Sequence, residues 1–490
     1  MYDEMNRKHR CLWDPNNTTQ DKHERAALIH KRLLADGLLD DAVMIPTRRA
    51  EISEILLNHP NELILELEAL RTPDELEEYC RKRELLWLAP DSACVARFMV
   101  GGVIDLLKAN IEGRIGNAFA LTRPPGHHSY ANSPQGFCIY NNVAIAAKYA
   151  IEHLGIKKVI IVDIDYHCGN GTYHSVKDDE RILFVNFHSY HYGAFWPYSK
   201  EYDYDNKYRN VISIPLNSTL NSEGDYIAAF NHLIIPVAHE FGAELVLVSL
   251  GFDAAYYDDL LEHGQGIKAH GYGYLMQMLH KNWPNRVLAM LEGGYFWRSY
   301  TECAAMATRG LKVGLPIPAL DHPKRVNPCL ADTLWRLMFH HSKNWKCVEK
   351  HLEKLQKMQI INGELRYVPP QYNIFLGENF REMWDRVKEL AISRTRNWIS
   401  GMTENEIAIA TAKIEEYIKE YNYEKETYEF NERELLEQLL WNSERASEAY
   451  LKSIPTTMWF YSQIKKCLES DDGRYLILDM EAYYRRTRKN

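Results

Sequence analysis

Two apolar runs that end abruptly in acidic residues constrain this chain most. Val159–Val162 leads into Asp163, Asp165 and His167, and Leu245–Leu250 leads into Gly251, Phe252 and Asp253. Runs this short and this continuously apolar suit strands buried on both faces, as in a parallel sheet lying between helices. The spacing predicts strands at Asn117–Leu121, Val159–Asp165, Ile182–Phe187, Val211–Ile214, Leu245–Leu250 and Val287–Leu291. Helical patterns fill several gaps, at Asn142–Leu154, Asp225–Phe241 and His270–Trp283. Strand and helix alternate from Ile115 to about Val313, which predicts an α/β fold: a mostly parallel central sheet with helices on both faces.

The flanks read differently. Residues 1–120 are mainly helices and loops, with Leu and Glu at helical spacing over Glu51–Arg83. Prolines 316, 318, 323 and 328 interrupt the chain before a helical stretch at Leu330–Leu352. Residues 353–490 are rich in Glu, Lys, Arg and Tyr. There Thr403 and Glu406 form a capping-box pattern, followed by an apolar stripe of Ile407, Ala410, Ile414, Tyr417 and Tyr421. This predicts one domain over 1–352 and a helical extension over 353–490 that packs on the domain or on a protein partner. The basic end, with Arg485, Arg486, Arg488 and Lys489, reads as a solvated tail rather than a nuclear signal.

A net charge of −9 argues against gripping nucleic acid through a bulk field, but leaves basic tails open as substrates. The cysteines are nine in number, scattered, with no CxxC pair, which fits a reducing compartment. The N-terminus lacks the apolar run of a signal peptide, and no stretch of about 18 uninterrupted apolar residues occurs. These features predict a soluble chain in cytoplasm or nucleus.

Four segments carry chemistry. In DIDYHCGNGT, residues 163–172, side chains two apart along an extended chain share a face, so Asp165 and His167 can point together past a strand's carboxyl end. A carboxylate with an imidazole suits zinc, and Asp163 has the parity to support a neighbour. In LVSLGFDAA, Asp253 stands at an equivalent strand exit and completes a two-carboxylate, one-histidine set that leaves a coordination position open. Taken singly, the first segment reads more often as a polar turn, and the second reads better as a helix cap. In RPPGHHSYANSPQGFC, His127 and His128 follow a Pro-Pro-Gly turn and can shuttle a proton. Chance alone gives about one His-His pair here, and His340–His341 is another. In LEGGY, Gly293 and Gly294 allow close backbone approach, and Tyr295 offers a phenol to a developing oxyanion; alone, the motif reads better as a strand-to-helix turn with a packed tyrosine. Together, four strand exits presenting these groups equip a metal-assisted amide hydrolase.

In order and spacing, RPPGHH, GFC, DIDYHCGNGT, GFDAA and EGGY resemble the zinc-dependent histone deacetylase family. The resemblance extends through CLWDPNN, Arg25, PDSACVARFMVGG and HSKNWKCV, and so covers about residues 1–352. Asn170 and the Glu-Gly-Gly-Tyr form resemble class II, with the nearest texture in the tubulin-deacetylase type, class IIb. The resemblance implies an arginase/deacetylase-like sheet and hydrolysis of acetyl-lysine side chains on histones or other proteins such as tubulin, by a zinc-activated water with release of acetate. It implies Asp165, His167 and Asp253 as ligands of one catalytic Zn²⁺, and allows a structural K⁺. It implies His128 as general base and acid, His127 as its electrostatic partner, Asp163 and Asn170 as supports of the pair, and Tyr295 as the phenol that polarises the carbonyl. Phe137 and Trp196 match the aromatic walls of the acyl-lysine tunnel, beside Gly136, and Glu84 falls roughly at a rim acid that holds the substrate backbone. Leu260 stands where a polyamine-specific relative carries glutamate, which favours acyl-lysine.

Some positions depart from the family pattern. Cys168 replaces a second histidine, and Tyr257 and Asp259 replace the glycine and proline flanking Asp258. These departures keep two rivals open: a hydrolase of acetylpolyamines or other small acetylated amines, and a weakly active scaffold that acts through partners. An arginase-like two-metal hydrolase is a more distant third.

Overall fold

The computed structural model describes residues 1–11, 20–193, 195–217, 221–256, 258, 266–320, 323 and 326–352. Leu260, Tyr257, Asp259, residues 12–17 of CLWDPNN and the whole extension over 353–490, with its capping box, stripe and basic end, lie outside them.

The apolar runs become one six-stranded, all-parallel sheet: β1 (Ala118–Ala120), β2 (Val159–Asp163), β3 (Ile182–Ser189), β4 (Val211–Leu216), β5 (Leu245–Leu250) and β6 (Val287–Leu291), in the order β1-β6-β5-β2-β3-β4. Every residue of β2 to β6 is buried, as continuous apolar runs require. Alternation then divides the side chains between two cores. Ile160, Val162, Leu183, Val185, Val246 and Val248 face the helices Ala269–Asn282, Trp297–Leu311 and Pro328–Ser342. Val159, Ile161, Ile182, Phe184, Leu245 and Leu247 face Ser92–Ile111 and Asn142–His153. A third apolar cluster joins the N-terminal helices Asn61–Ala69 and Pro73–Arg81 to that second layer through Leu63, Leu67, Leu76, Val100 and Ile104. No helix among the described residues is long and apolar enough to cross a membrane.

Two local expectations need correction. The Asp225–Phe241 helix is three pieces, Glu223–Ala229, a π-helical turn at Phe230–Ile234, and Ile235–Phe241. Pro236 lies two residues beyond the π turn, and lacking an N–H it cannot continue a regular ladder. Strand β2 also stops at Asp163, not at Asp165, so Asp165 and His167 do not share a face by strand parity.

Strand order places the site. From β2 the chain runs outward through β3 to β4, then returns to lay β5 on the other side of β2. The β2/β5 boundary is therefore a topological switch point, where open α/β sheets form a crevice beyond their carboxyl ends. Asp163 is level with Ser249 of β5 and Asn186 of β3, so the loops carrying Asp165, His167 and Asp253 leave the sheet side by side.

A buried histidine pins the loop that carries His127 and His128. His59 Nδ1 donates to the Ala131 carbonyl at 2.9 Å, and Nε2 accepts the Asn141 N–H at 2.9 Å. The imidazole must be neutral to do both, and burial lowers its pKa to about 4. Its stabilising contribution is complete above the unfolded value near 6.5 and is lost as pH falls toward 4, because only the unfolded chain takes up the proton in that window. Between pH 7 and pH 5 the loss amounts to about 2 kcal/mol. Urea unfolding at the two pH values should show that extra loss in the native protein and not in an H59Q variant, which keeps a donor and an acceptor but cannot titrate.

Candidate metal centre and active site

Asp165 and His167 are brought together by turns that their own side chains make. Asp163 Oδ1 accepts the Asp165 N–H at 3.1 Å, and Asp165 Oδ1 accepts the His167 N–H at 2.9 Å. Such carboxylate-to-backbone bonds two residues on reverse the chain as a backbone turn does. From β5, Asp253 arrives with Oδ1 accepting the Tyr166 N–H at 2.8 Å and Oδ2 lying 3.1 Å from His167 Nδ1. The nearest Asp165 oxygen is 3.4 Å from the same nitrogen. One ligand atom from each of the three residues lies within 4.8 Å of the others.

The electrostatics fit a cation at this point. Burial and the Asp165 charge push the Asp253 carboxyl up to about 6. Burial also acts to raise Asp165, but His127 and His167 outweigh it and hold that carboxyl well below its usual range. Two carboxylates and an imidazole converging in a buried space are the donor set of a zinc-type ion with an open position. Glycines make the room. A Cβ on Gly251 would fall 2.5 Å from Asp165 Cγ, and one on Gly293 would fall 2.7 Å from Asp165 Oδ2.

A second cluster, His127, Cys138 and Glu292, also has ligand atoms within 4.8 Å, but it suits a metal poorly. Burial holds the Cys138 thiol protonated, far above its usual value. The Glu292 oxygens already accept from Gly126 N–H, His127 N–H and Ser249 Oγ.

The histidine pair lies beside the first cluster, the two rings tilted at 39° with centroids 3.9 Å apart. His127 Nδ1 lies 3.1 Å from Asp163 Oδ2. Burial disfavours its charge, yet Asp165, Asp163 and Glu292 prevail and push its pKa up to about 10. His128 goes the other way, held well below its usual value by burial and by the neighbouring His127 and His167. Its Nδ1 lies 2.9 Å from Asn170 Oδ1, which also accepts the Gly171 N–H at 3.0 Å. That second bond fixes the amide orientation, so neutral His128 carries its proton on Nδ1 and presents Nε2 as an acceptor. Asn170 Nδ2 donates to the Tyr130 hydroxyl at 3.2 Å, which meets Tyr202 at 3.2 Å. Tyr295 closes the far side, its ring 6.1 Å from Phe137, and Trp196 stands edge-on to His128 at 4.8 Å. All the site residues named from the sequence converge here except Leu260, which is outside the described residues.

A family model described as the histone deacetylase domain matches residues 19–311. The chain belongs to the histone deacetylase family. It is 33% identical over 349 residues to a human (Homo sapiens) protein named polyamine deacetylase HDAC10, covering 70% of this chain and 52% of that one. It is also 33% identical over 326 residues to histone deacetylase clr3 of Schizosaccharomyces pombe, covering 64% and 47%. The chain thus spans about half the length of the curated relatives it matches. The crystal structure of the HDA15 HD domain superposes with a TM-score of 0.65 at 28% identity, covering 72% of this chain and 98% of that one. Class II membership agrees with these relatives, and class IIb is consistent with the first of them.

Within this histone deacetylase fold, sequence reasoning gave no bracing role to Glu292, Arg25 or Asp258. Buried Glu292 ties the histidine loop to β5 through the three bonds above. Arg25 spans from Asp21 (2.9 Å) to the carbonyls of Gly294 (2.8 Å) and Glu292 (2.9 Å). Asp258 Oδ2 accepts the Tyr295 N–H at 2.7 Å and the Phe296 N–H at 3.3 Å. Acidic residues beside GGY and GFDAA were visible; their partners, far away in sequence, were not.

Proposed function

We propose that this chain hydrolyses the acetyl amide of acetyl-lysine side chains on proteins, using one Zn²⁺ held by Asp165, His167 and Asp253. The observation that carries this reading is the convergence of that ligand set with the His127–His128 pair and the Tyr295 phenol in one crevice. Zinc, when bound, supplies a Lewis acid for the acetyl carbonyl and lowers the pKa of water there. His128 takes a proton from the attacking water through Nε2, and the water oxygen adds to the carbonyl carbon. Tyr295, whose pKa burial and the two aspartates drive far above its usual value, stays a phenol and donates to the developing oxyanion. His127, its Nδ1 bonded to Asp163 Oδ2, stands beside it as the electrostatic partner of His128. His128 then returns its proton to the lysine nitrogen as the C–N bond breaks, giving acetate and free lysine.

Protein acetyl-lysine is favoured over acetylpolyamine by Leu260, an apolar residue that offers no carboxylate to a second ammonium. The similarity to a protein named polyamine deacetylase makes the small-amine reading the alternative. Turnover of acetylated histone and tubulin peptides should be measured beside N-acetylpolyamines, with and without a chelator. The reading expects chelator-sensitive peptide turnover that exceeds polyamine turnover; polyamine preference would favour the alternative, and no turnover by the metal-loaded protein would favour a scaffold. Y295F should lower kcat about 10²–10³-fold with metal content unchanged, and intact kcat would refute the role given to the phenol.

A further inference from the structure

Both aromatic walls at the mouth of the crevice are tied to one dipeptide, Glu84–Leu85. The Glu84 carbonyl accepts the Gly136 N–H at 3.0 Å, and the Leu85 carbonyl accepts the Phe137 N–H at 2.9 Å. The Glu84 side chain then reaches the opposite wall, where its Oε1 accepts the Trp196 indole N–H at 2.7 Å. Leu85 and Phe137 stand at φ of 49° and 65°. That left-handed conformation costs a side-chain-bearing residue about 1–2 kcal/mol and persists where surrounding contacts over-determine it. The Phe137-to-Leu85 bond, which joins the two strained residues, and the neighbouring Gly136-to-Glu84 bond are such contacts. The wall positions also matter to chemistry, since Phe137 packs toward Tyr295 and Trp196 against His128.

We propose that Glu84–Leu85 is a gauge for the slot: its backbone fixes Phe137, its carboxylate latches Trp196, and the gap between them is set for a slim unbranched lysine chain. Glu84 is thus a positioning residue that acts through Trp196, rather than an acid that grips the substrate backbone. This rests on the acyl-lysine reading of the crevice. The chemistry separates the two roles, because an indole N–H only donates and a carboxylate only accepts. An E84Q variant keeps an oxygen for the indole, E84A removes it, and W196F keeps an aromatic wall without the donor.

Glu84 is exposed, so its variants should fold with unchanged Tm. E84A is expected to raise KM for an acetyl-lysine peptide about 5–10-fold with kcat within about 3-fold, in line with the loss of one charge-assisted hydrogen bond. E84Q should restore most of this. In the W196F background E84A should have little further effect, because the latch is already gone. An E84A penalty of equal size in both backgrounds would overturn the proposal, as would an E84Q variant as impaired as E84A. A readout independent of turnover is the ¹⁹F resonance of Trp196 in protein labelled with 5-fluorotryptophan, assigned by its disappearance in W196F. It should shift in E84A and much less in E84Q; an unmoved resonance would overturn the latch even in a protein that deacetylates nothing. Absent turnover with a shifted resonance would instead sink the acyl-lysine reading and leave the latch standing.

Discussion

A G293A variant is expected to fold but to lose its metal, and turnover with it. The added Cβ would sit 2.7 Å from Asp165 Oδ2 and 2.9 Å from Asp253 Cγ, and closer still to Asp253 Oδ2. Gly293 is not among the residues with positive φ, so the backbone itself tolerates alanine. The clash therefore falls on the two carboxylates rather than on the chain. Neither can retreat without loss: Asp165 Oδ2 holds the Gly293 N–H at 2.9 Å, and Asp253 Oδ1 holds the Tyr166 N–H. Metal sites tolerate ligand displacements of only about 0.2 Å, less than the shift needed to clear a methyl group. Metal content after dialysis should fall from about one zinc per chain toward zero, with far-UV circular dichroism preserved. Stoichiometric zinc and native kcat in this variant would contradict the proposed ligand set.

The second large effect is expected at His128. An H128A variant should keep its zinc and lose about 10²–10⁴-fold in kcat at neutral pH, the range a general base contributes. The two histidines differ in what they can do. His127 has its Nδ1 committed to Asp163 Oδ2 at 3.1 Å, and the carboxylates around it favour its charged form. His128 is held toward its neutral form, and its Nδ1–H donates to Asn170 Oδ1, so Nε2 is the acceptor the reaction needs. Removing His128 deletes the base, whereas removing His127 deletes a charge. H127A should accordingly retain more kcat than H128A, with zinc content measured in both. The reverse order would mean that the proton path runs through His127.

Much of this architecture could be read from short segments. Leu245–Leu250 and Val287–Leu291 begin and end where their apolar runs do. The ligand types stood out only in combination, because an aspartate after a buried strand is by itself an ordinary turn or helix cap. The route to the ligand geometry was less legible. Strand parity was expected to align Asp165 with His167, yet β2 ends two residues earlier and the alignment comes from carboxylate-to-backbone turns. Such bonds depend on individual oxygen positions, which hydropathy patterns do not encode.

By itself, the sequence determined the strand and helix segments, the parallel character of the sheet and the chemical types at the strand exits, since these depend on near neighbours and on periods of two or 3.6 residues. The tertiary structure alone decided which exits meet. Placing β5 beside β2 sets Asp253 against His167 across 86 residues. Arg25 reaches Gly294 across 269 residues, and Glu84 meets Trp196 across 112. The reason is physical: burial periodicity is a local property of the chain, whereas a hydrogen bond between distant residues exists only after the sheet has chosen its strand order.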